Sequence, residues 1–150
     1  MPRHSLGTLL VALQFGLIGV LAALALPSAI AGGIAGWAWA VATAGVLLGL
    51  WSLACNPPGN FNIRPTPRAG GRLVRSGPYR WIRHPMYVAV MLCGLACASA
   101  AAPAAGRSAL LALVAVLSAK ASVEERWMLA DHADYAEYQG QTWRFVPWLY

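Results

Sequence analysis

The sequence predicts an all-α integral membrane protein of about four transmembrane helices, followed by an amphipathic helix on the cytoplasmic side. Three observations carry this. Of the 150 residues 59% are hydrophobic and only 11% charged, against roughly 25% charged in a soluble domain. No Lys, Arg, Asp or Glu occurs between residues 5 and 63, which suits a bilayer core of about 30 Å crossed by roughly 20 apolar residues per helix. The charges that do occur are sorted: six Arg and no acid lie between residues 64 and 83, and all five acids lie between 124 and 137. The apolar fraction excludes a disordered chain, and three Cys cannot form a fully paired disulfide framework. The length fits one domain, residues 1–150.

Residues 6–26 form the first expected span, with only Thr8 and Gln14 polar, closed by Pro27 and Ser28. A cleaved signal peptide is the rival reading, since Arg3 and His4 make a basic start and Ala29-Ile30-Ala31 has a small-x-small form. Its apolar core would normally be only about 7–15 residues. Residues 30–55 form the second span, with Trp37 and Trp39 near one end and Trp51 near the other, as in an interfacial aromatic belt. The small-residue pairs Gly32/Gly36 and Gly45/Gly49 read as close helix packing.

Residues 56–85 form a long polar loop, because Pro57, Pro58, Pro65, Pro67 and Pro78 and the Gly70-Gly71 pair suit no helix interior. Residues 86–102, ended by Pro103, and 108–123, interrupted by Lys120, are two shorter apolar helices. They are either thin spans or a hairpin partly buried against the first two. The six loop arginines place residues 56–85 and both termini in the cytoplasm by the positive-inside rule, making a multi-pass protein of the cell membrane. Lys120 would then lie near the cytoplasmic end of its helix, with a stem long enough to snorkel outward. Residues 124–139 read as the amphipathic helix, ended by Gly140. Trp143, Phe145, Pro147, Trp148 and Tyr150 follow as an aromatic tail, either an anchor or the lid of a pocket.

Three polar sets share the cytoplasmic side: Arg80, Arg83 and His84; Lys120, Glu124 and Glu125; and Arg144. Antiparallel third and fourth helices would put His84 and Glu124 at one depth. Each set also has a plain structural reading. The arginines could bind anionic headgroups, Pro85 could simply open a helix, and the adjacent glutamates could be solvated. Cys93 and Cys97 read as small packing residues, and no metal site is evident. The absence of a Gly-x-Gly-x-x-Gly or Gly-Lys-Ser/Thr signature leaves a soluble nucleotide fold unsupported, and no nucleic-acid module appears.

The stretch Gly71-Arg72-Leu73-Val74-Arg75-Ser76-Gly77-Pro78-Tyr79, followed by Arg83-His84-Pro85-Met86-Tyr87, resembles the signature of the isoprenylcysteine carboxyl methyltransferases and their phospholipid N-methyltransferase relatives. Glu124-Glu125, Tyr135 with Tyr138, and Arg144-Phe145-Val146-Pro147 extend the resemblance over roughly residues 60–150. It implies S-adenosylmethionine as cofactor, a pocket at the cytoplasmic side, and methyl transfer to a lipophilic or small acceptor: a carboxylate, a phospholipid amine or a thiol. Membrane lipids are the other expected partners; oligomeric state is not legible. The cofactor-binding positions implied are Val74, Tyr79, Arg83, His84, Tyr87, Glu124 and Glu125. Lys120 and Glu125 are the implied catalytic positions, and Lys120 and Arg144 the acceptor-binding ones. The sequence departs from the family pattern at His132, where Gly is usual, at Trp143, where Pro is usual, and at Lys120, where the carboxyl methyltransferases commonly carry an Arg. Lysine lacks the two-pronged carboxylate grip of arginine. Two other classes remain: an NADPH-dependent sterol-type reductase, whose helix start usually reads His-Pro-Asn-Tyr rather than His-Pro-Met-Tyr, and a non-enzymatic headgroup-binding protein.

Overall fold

The computed structural model describes residues 3–58, 60 and 72–149, with side chains from residue 5 onward. Arg64, Arg68, the Gly70-Gly71 pair and Tyr150 therefore lie outside the described residues. Regular structure among the described residues is entirely helical: α1 (Arg3–Ile30), α2 (Gly36–Ala54), a short 3-10 helix (Gly77–Arg80), α3 (Pro85–Ala100), α4 (Pro103–Asp131) and α5 (Tyr135–Gln141). The protein is an all-α membrane protein. Three of these helices, α1 from Ser5, α2 and α4, are long and apolar enough to cross a bilayer. The 16 residues of α3 reach only about 24 Å at ~1.5 Å per residue, less than the ~30 Å hydrocarbon core.

Several boundaries differ from the sequence expectation, each for a local reason. Pro27 does not close α1, which runs on to Ile30. A proline removes one backbone donor, and in a membrane helix neighbouring groups re-satisfy the carbonyl it frees. The chain instead turns at Gly32, whose φ of 68° is the left-handed conformation that ends helices, with the Gly33 amide bonded to the Ser28 carbonyl at 2.8 Å. The second helix accordingly begins at Gly36 rather than residue 30. Pro103 opens α4 rather than merely closing α3, because the first helical position needs no amide donor. No breaker stands between Val123 and Asp131, so α4 absorbs the first half of the expected amphipathic helix. Only the seven-residue α5 remains separate, and Gly140 lies inside it.

The third helix is the centre of the bundle, packed on α1, α2 and α4, while α1 also packs on α4. Leu21, Ala98, Ala109, Leu113 and Leu117 form the buried core. Small residues set the spacing. A Cβ at Gly45 would stand 2.9 Å from the Ala89 carbonyl oxygen and from Cys93 Sγ, and one at Gly106 would collide with the Ala98 carbonyl. Gly32 and Gly36 meet nothing within 4 Å, so that pair is a link between helices and not the packing motif expected of it. Leu9, Leu13, Phe15, Trp37, Trp39, Leu47 and Leu50 face outward, as lipid-facing residues do.

Because α1 and α2 stand on either side of α3, an apolar groove of about 280 Å³ remains between them. Met86, Ala89, Val90 and Cys93 of α3 form its floor, Ile18 and Leu21 of α1 one wall, and Gly45 and Gly49 of α2 the other.

Candidate functional site

The site lies where the start of α3 meets the last third of α4, and two stretches without long helices deliver its residues. Gly77 opens the 3-10 helix with φ of 58°, and a Cβ there would collide with Cys55 Sγ at the end of α2. Only glycine permits both the left-handed backbone and that approach. Asn60 closes the base of the preceding loop by accepting from the Arg72 amide at 2.7 Å and donating to its carbonyl at 3.0 Å. After the 3-10 helix, residues 81–84 pair with the tail. The Arg83 amide donates to the Trp143 carbonyl at 2.8 Å, His84 to Arg144 at 3.2 Å, and Trp143 back to Trp81 at 3.0 Å. Residues 143–145 are thus stitched to the start of α3 and line one side of the site, while Val146, Trp148 and Leu149 stay exposed.

Glu125 is the hub. It is 2% exposed, so its charge needs partners from every side. Arg83 Nε donates to Oε1 at 2.8 Å, Arg144 Nη2 to Oε2 at 2.7 Å and Gln139 Nε2 to Oε2 at 3.2 Å, while His84 Nε2 lies 3.1 Å from Oε1. Arg83 also donates through Nη1 to the carbonyls of Gln139 and Thr142. Arg144 Nη1 reaches Ser122 Oγ at 3.2 Å.

Glu124 is arranged differently. Consecutive helical residues point about 100° apart, so when Glu125 faces inward Glu124 faces sideways, with 31% of its side chain exposed. Its Oε2 accepts from the Tyr87 hydroxyl at 2.6 Å and lies 3.8 Å from His84 Nδ1. The His84 ring stacks on Tyr87 at 5.1 Å and meets Phe145 at 5.9 Å. The approach of His84 to Glu124 matches the antiparallel α3–α4 pairing. The expectation of a solvated glutamate pair fails at Glu125, because two guanidinium groups converge on it together with Gln139 and His84.

Lys120 does not snorkel. It is 1% exposed, with Nζ donating to Gln14 Oε1 of α1 at 2.6 Å and standing 5.0 Å over the Tyr87 ring. An internal acceptor within reach makes the excursion to the surface unnecessary. Tyr79 sits half-buried in the 3-10 helix, where its carbonyl accepts from the Tyr138 hydroxyl at 2.7 Å. Burial pushes the Tyr79 hydroxyl up to about 12 and raises those of Tyr135 and Tyr138 further, so all three remain protonated near neutral pH. Val74, also expected at the site, is half-buried and shares no hydrogen bond, ion pair or ring contact with the cluster.

Sequence reasoning missed Gln14, Ser122 and Gln139. The first carried a signal, being one of only two polar residues in its apolar run, and such residues find internal partners. Nothing local marks the other two.

Fold and site together define a helical integral membrane protein with a buried charge cluster at one end of its bundle. The segment that builds most of that end settles the family: residues 59–134, half of the chain, match the model of the phospholipid methyltransferase family, and the chain belongs to it. It is a membrane methyltransferase. No curated protein matches the chain. Gln14, Gln139 and Arg144 all lie outside the matched stretch, so part of the charge cluster is completed by flanking segments.

Proposed function

We propose that the protein transfers the methyl group of S-adenosylmethionine to a lipophilic acceptor at the cytoplasmic end of the bundle. The observation that carries this reading is the Glu125 hub, which holds Arg83, His84 and Arg144 in fixed positions beside Glu124 and the Tyr87 ring. Methyl transfer depends above all on aligning acceptor, methyl carbon and leaving sulfur, and a charge-locked frame provides alignment without reorganisation.

The donor set fits the cofactor's chemistry. Arg83 and Arg144 supply the positive side that a methionine carboxylate needs, His84 a ring nitrogen for a hydrogen bond, Glu124 a carboxylate for cationic groups, and Tyr79 and Tyr87 aromatic faces for adenine or sulfonium. The cofactor supplies an electrophilic methyl whose transfer discharges a sulfonium. Glu125 and Lys120, both sealed, act by holding Arg83, Arg144 and Tyr87 in place rather than by touching substrate. The apolar groove begins at Met86, the residue before Tyr87, and supports a hydrocarbon-bearing acceptor approaching from the bilayer. The six loop arginines support a cytoplasmic orientation for this end.

Calorimetric titration of the detergent-solubilised protein with S-adenosylhomocysteine, run beside NADPH, tests the reading. Saturable binding of the former alone is expected. Binding of NADPH alone would replace the methyltransferase cofactor with a reductase one.

A further inference from the structure

Gln14 stands in an apolar helix that needs no polar side chain to cross a bilayer. It is buried, and its Oε1 accepts from the buried Lys120 Nζ at 2.6 Å. An amide and an ammonium both cost free energy in hydrocarbon unless they are paired. A leucine against a methionine would join α1 to α4 without that cost, as apolar replacements of buried ionic groups commonly do. The worth of the pair therefore lies in where it holds the ammonium.

Neighbours on α3 and α4 define that place. Lys120 Nζ stands 5.0 Å from the centroid of the Tyr87 ring, and the Tyr87 hydroxyl donates to Glu124 Oε2 at 2.6 Å. Glu124 follows Lys120 by one turn of α4, the spacing at which helical side chains are neighbours, and its charge reaches the ammonium. Glu125 is already taken by Arg83 and Arg144, which leaves Glu124 as the carboxylate for a released lysine. Lysine carries three donors on a flexible stem, so without an acceptor on α1 its ammonium swings to Glu124.

Resting on the methyltransferase reading above, we propose that Gln14 is a positioning residue of the cofactor site. It holds Lys120 against the Tyr87 ring and off Glu124, so that Glu124 keeps its bond to Tyr87 and its charge for the ammonium of the cofactor. With Gln14 lost, Lys120 closes an ion pair with Glu124 within α4, the carboxylate leaves Tyr87, and the site loses its negative group. The site thus depends on α1, a helix that lies wholly outside the stretch matched to the family.

The test is calorimetric titration of the full-length, detergent-solubilised protein with S-adenosylhomocysteine, with the thermal midpoint of each variant measured beside it. Gln14→Leu is expected to weaken binding about tenfold or more, the loss of one charge-assisted contact. Gln14→Glu, which holds the ammonium in the same place, should stay within about threefold of wild type. Lys120→Met removes the misdirected group, so adding Gln14→Leu to it should leave its affinity unchanged, and tighter than that of Gln14→Leu alone. A purely structural tie between α1 and α4 lowers the midpoint and leaves the affinity alone. That result in Gln14→Leu would overturn the proposal, as would a double variant as weak as Gln14→Leu, or a loss in Gln14→Glu equal to that in Gln14→Leu. If Gln14→Leu yields no folded protein, Gln14→Asn, one methylene short of Lys120, carries the same expectation. Wild type that binds no S-adenosylhomocysteine overturns the methyltransferase reading itself, and the proposal with it; wild type that binds it no better than Gln14→Leu overturns the role of Gln14 alone.

Discussion

The start and the middle of α3 are held by different physics. At its start, charged groups far apart in sequence meet within about one helical turn of space: Arg83 and His84 with Glu125, and Arg144 from the tail. Along its middle, α2 and α3 are joined by shape, with Ala89 and Cys93 lying against Gly45 and no ion pair between the helices. Inside a bilayer apolar contacts gain little over lipid contacts, so close packing of small residues is what such a helix pair can offer. At the membrane boundary a buried ionic cluster holds groups in one arrangement and becomes costly if a partner is lost. The polar end is therefore expected to be brittle toward single substitutions and the helix pair tolerant.

Four substitutions break or sharpen this contrast. Glu125→Ala should have the largest effect, about 3–5 kcal/mol, because it strands two guanidinium groups at the buried cluster; a lowered thermal midpoint in detergent measures it, and a near-wild-type midpoint would deny the hub. Lys120→Met comes next at about 1.5–3 kcal/mol, the range for a hydrogen bond to a charged group. Adding Gln14→Leu should recover most of that loss, and a double-mutant cycle with no coupling would sever the α1–α4 tie. Gly45→Ala should cost about 1–2 kcal/mol, at the low end of overpacking, since only one carbon enters between the helices. Arg75→Ala should be smallest, under about 1 kcal/mol, because the 2.9 Å bridge to Asp134 is solvent-exposed on both sides. A loss at Gly45 exceeding that at Glu125 would invert the comparison.

Hydropathy made the helices legible, and the Gly77-Pro78-Tyr79 and Arg83-His84-Pro85 motifs located the polar end. Pro103 was read as a terminator because a sequence marks where a proline stands, not which of two adjoining helices absorbs its missing donor. Lys120 was placed at the surface because its partner lies 106 residues away. Gly32 and Gly45 carry the same small-x-x-x-small spacing, yet only Gly45 has a helix against it.

By itself the sequence determined that this is a membrane-embedded helical protein with a basic loop and an acidic segment at one side, since burying apolar runs and segregating charge depend on composition along the chain. Tertiary structure alone decided that Glu125 is locked while Glu124 is half-buried beside it, that Gln14 receives Lys120, and that residues 143–145 pair with the start of α3. The reason is that ionic partners are chosen in three dimensions: adjacent glutamates are chemically identical as letters, and only the rotation of α4 against α3 and the tail decides which one faces the cations.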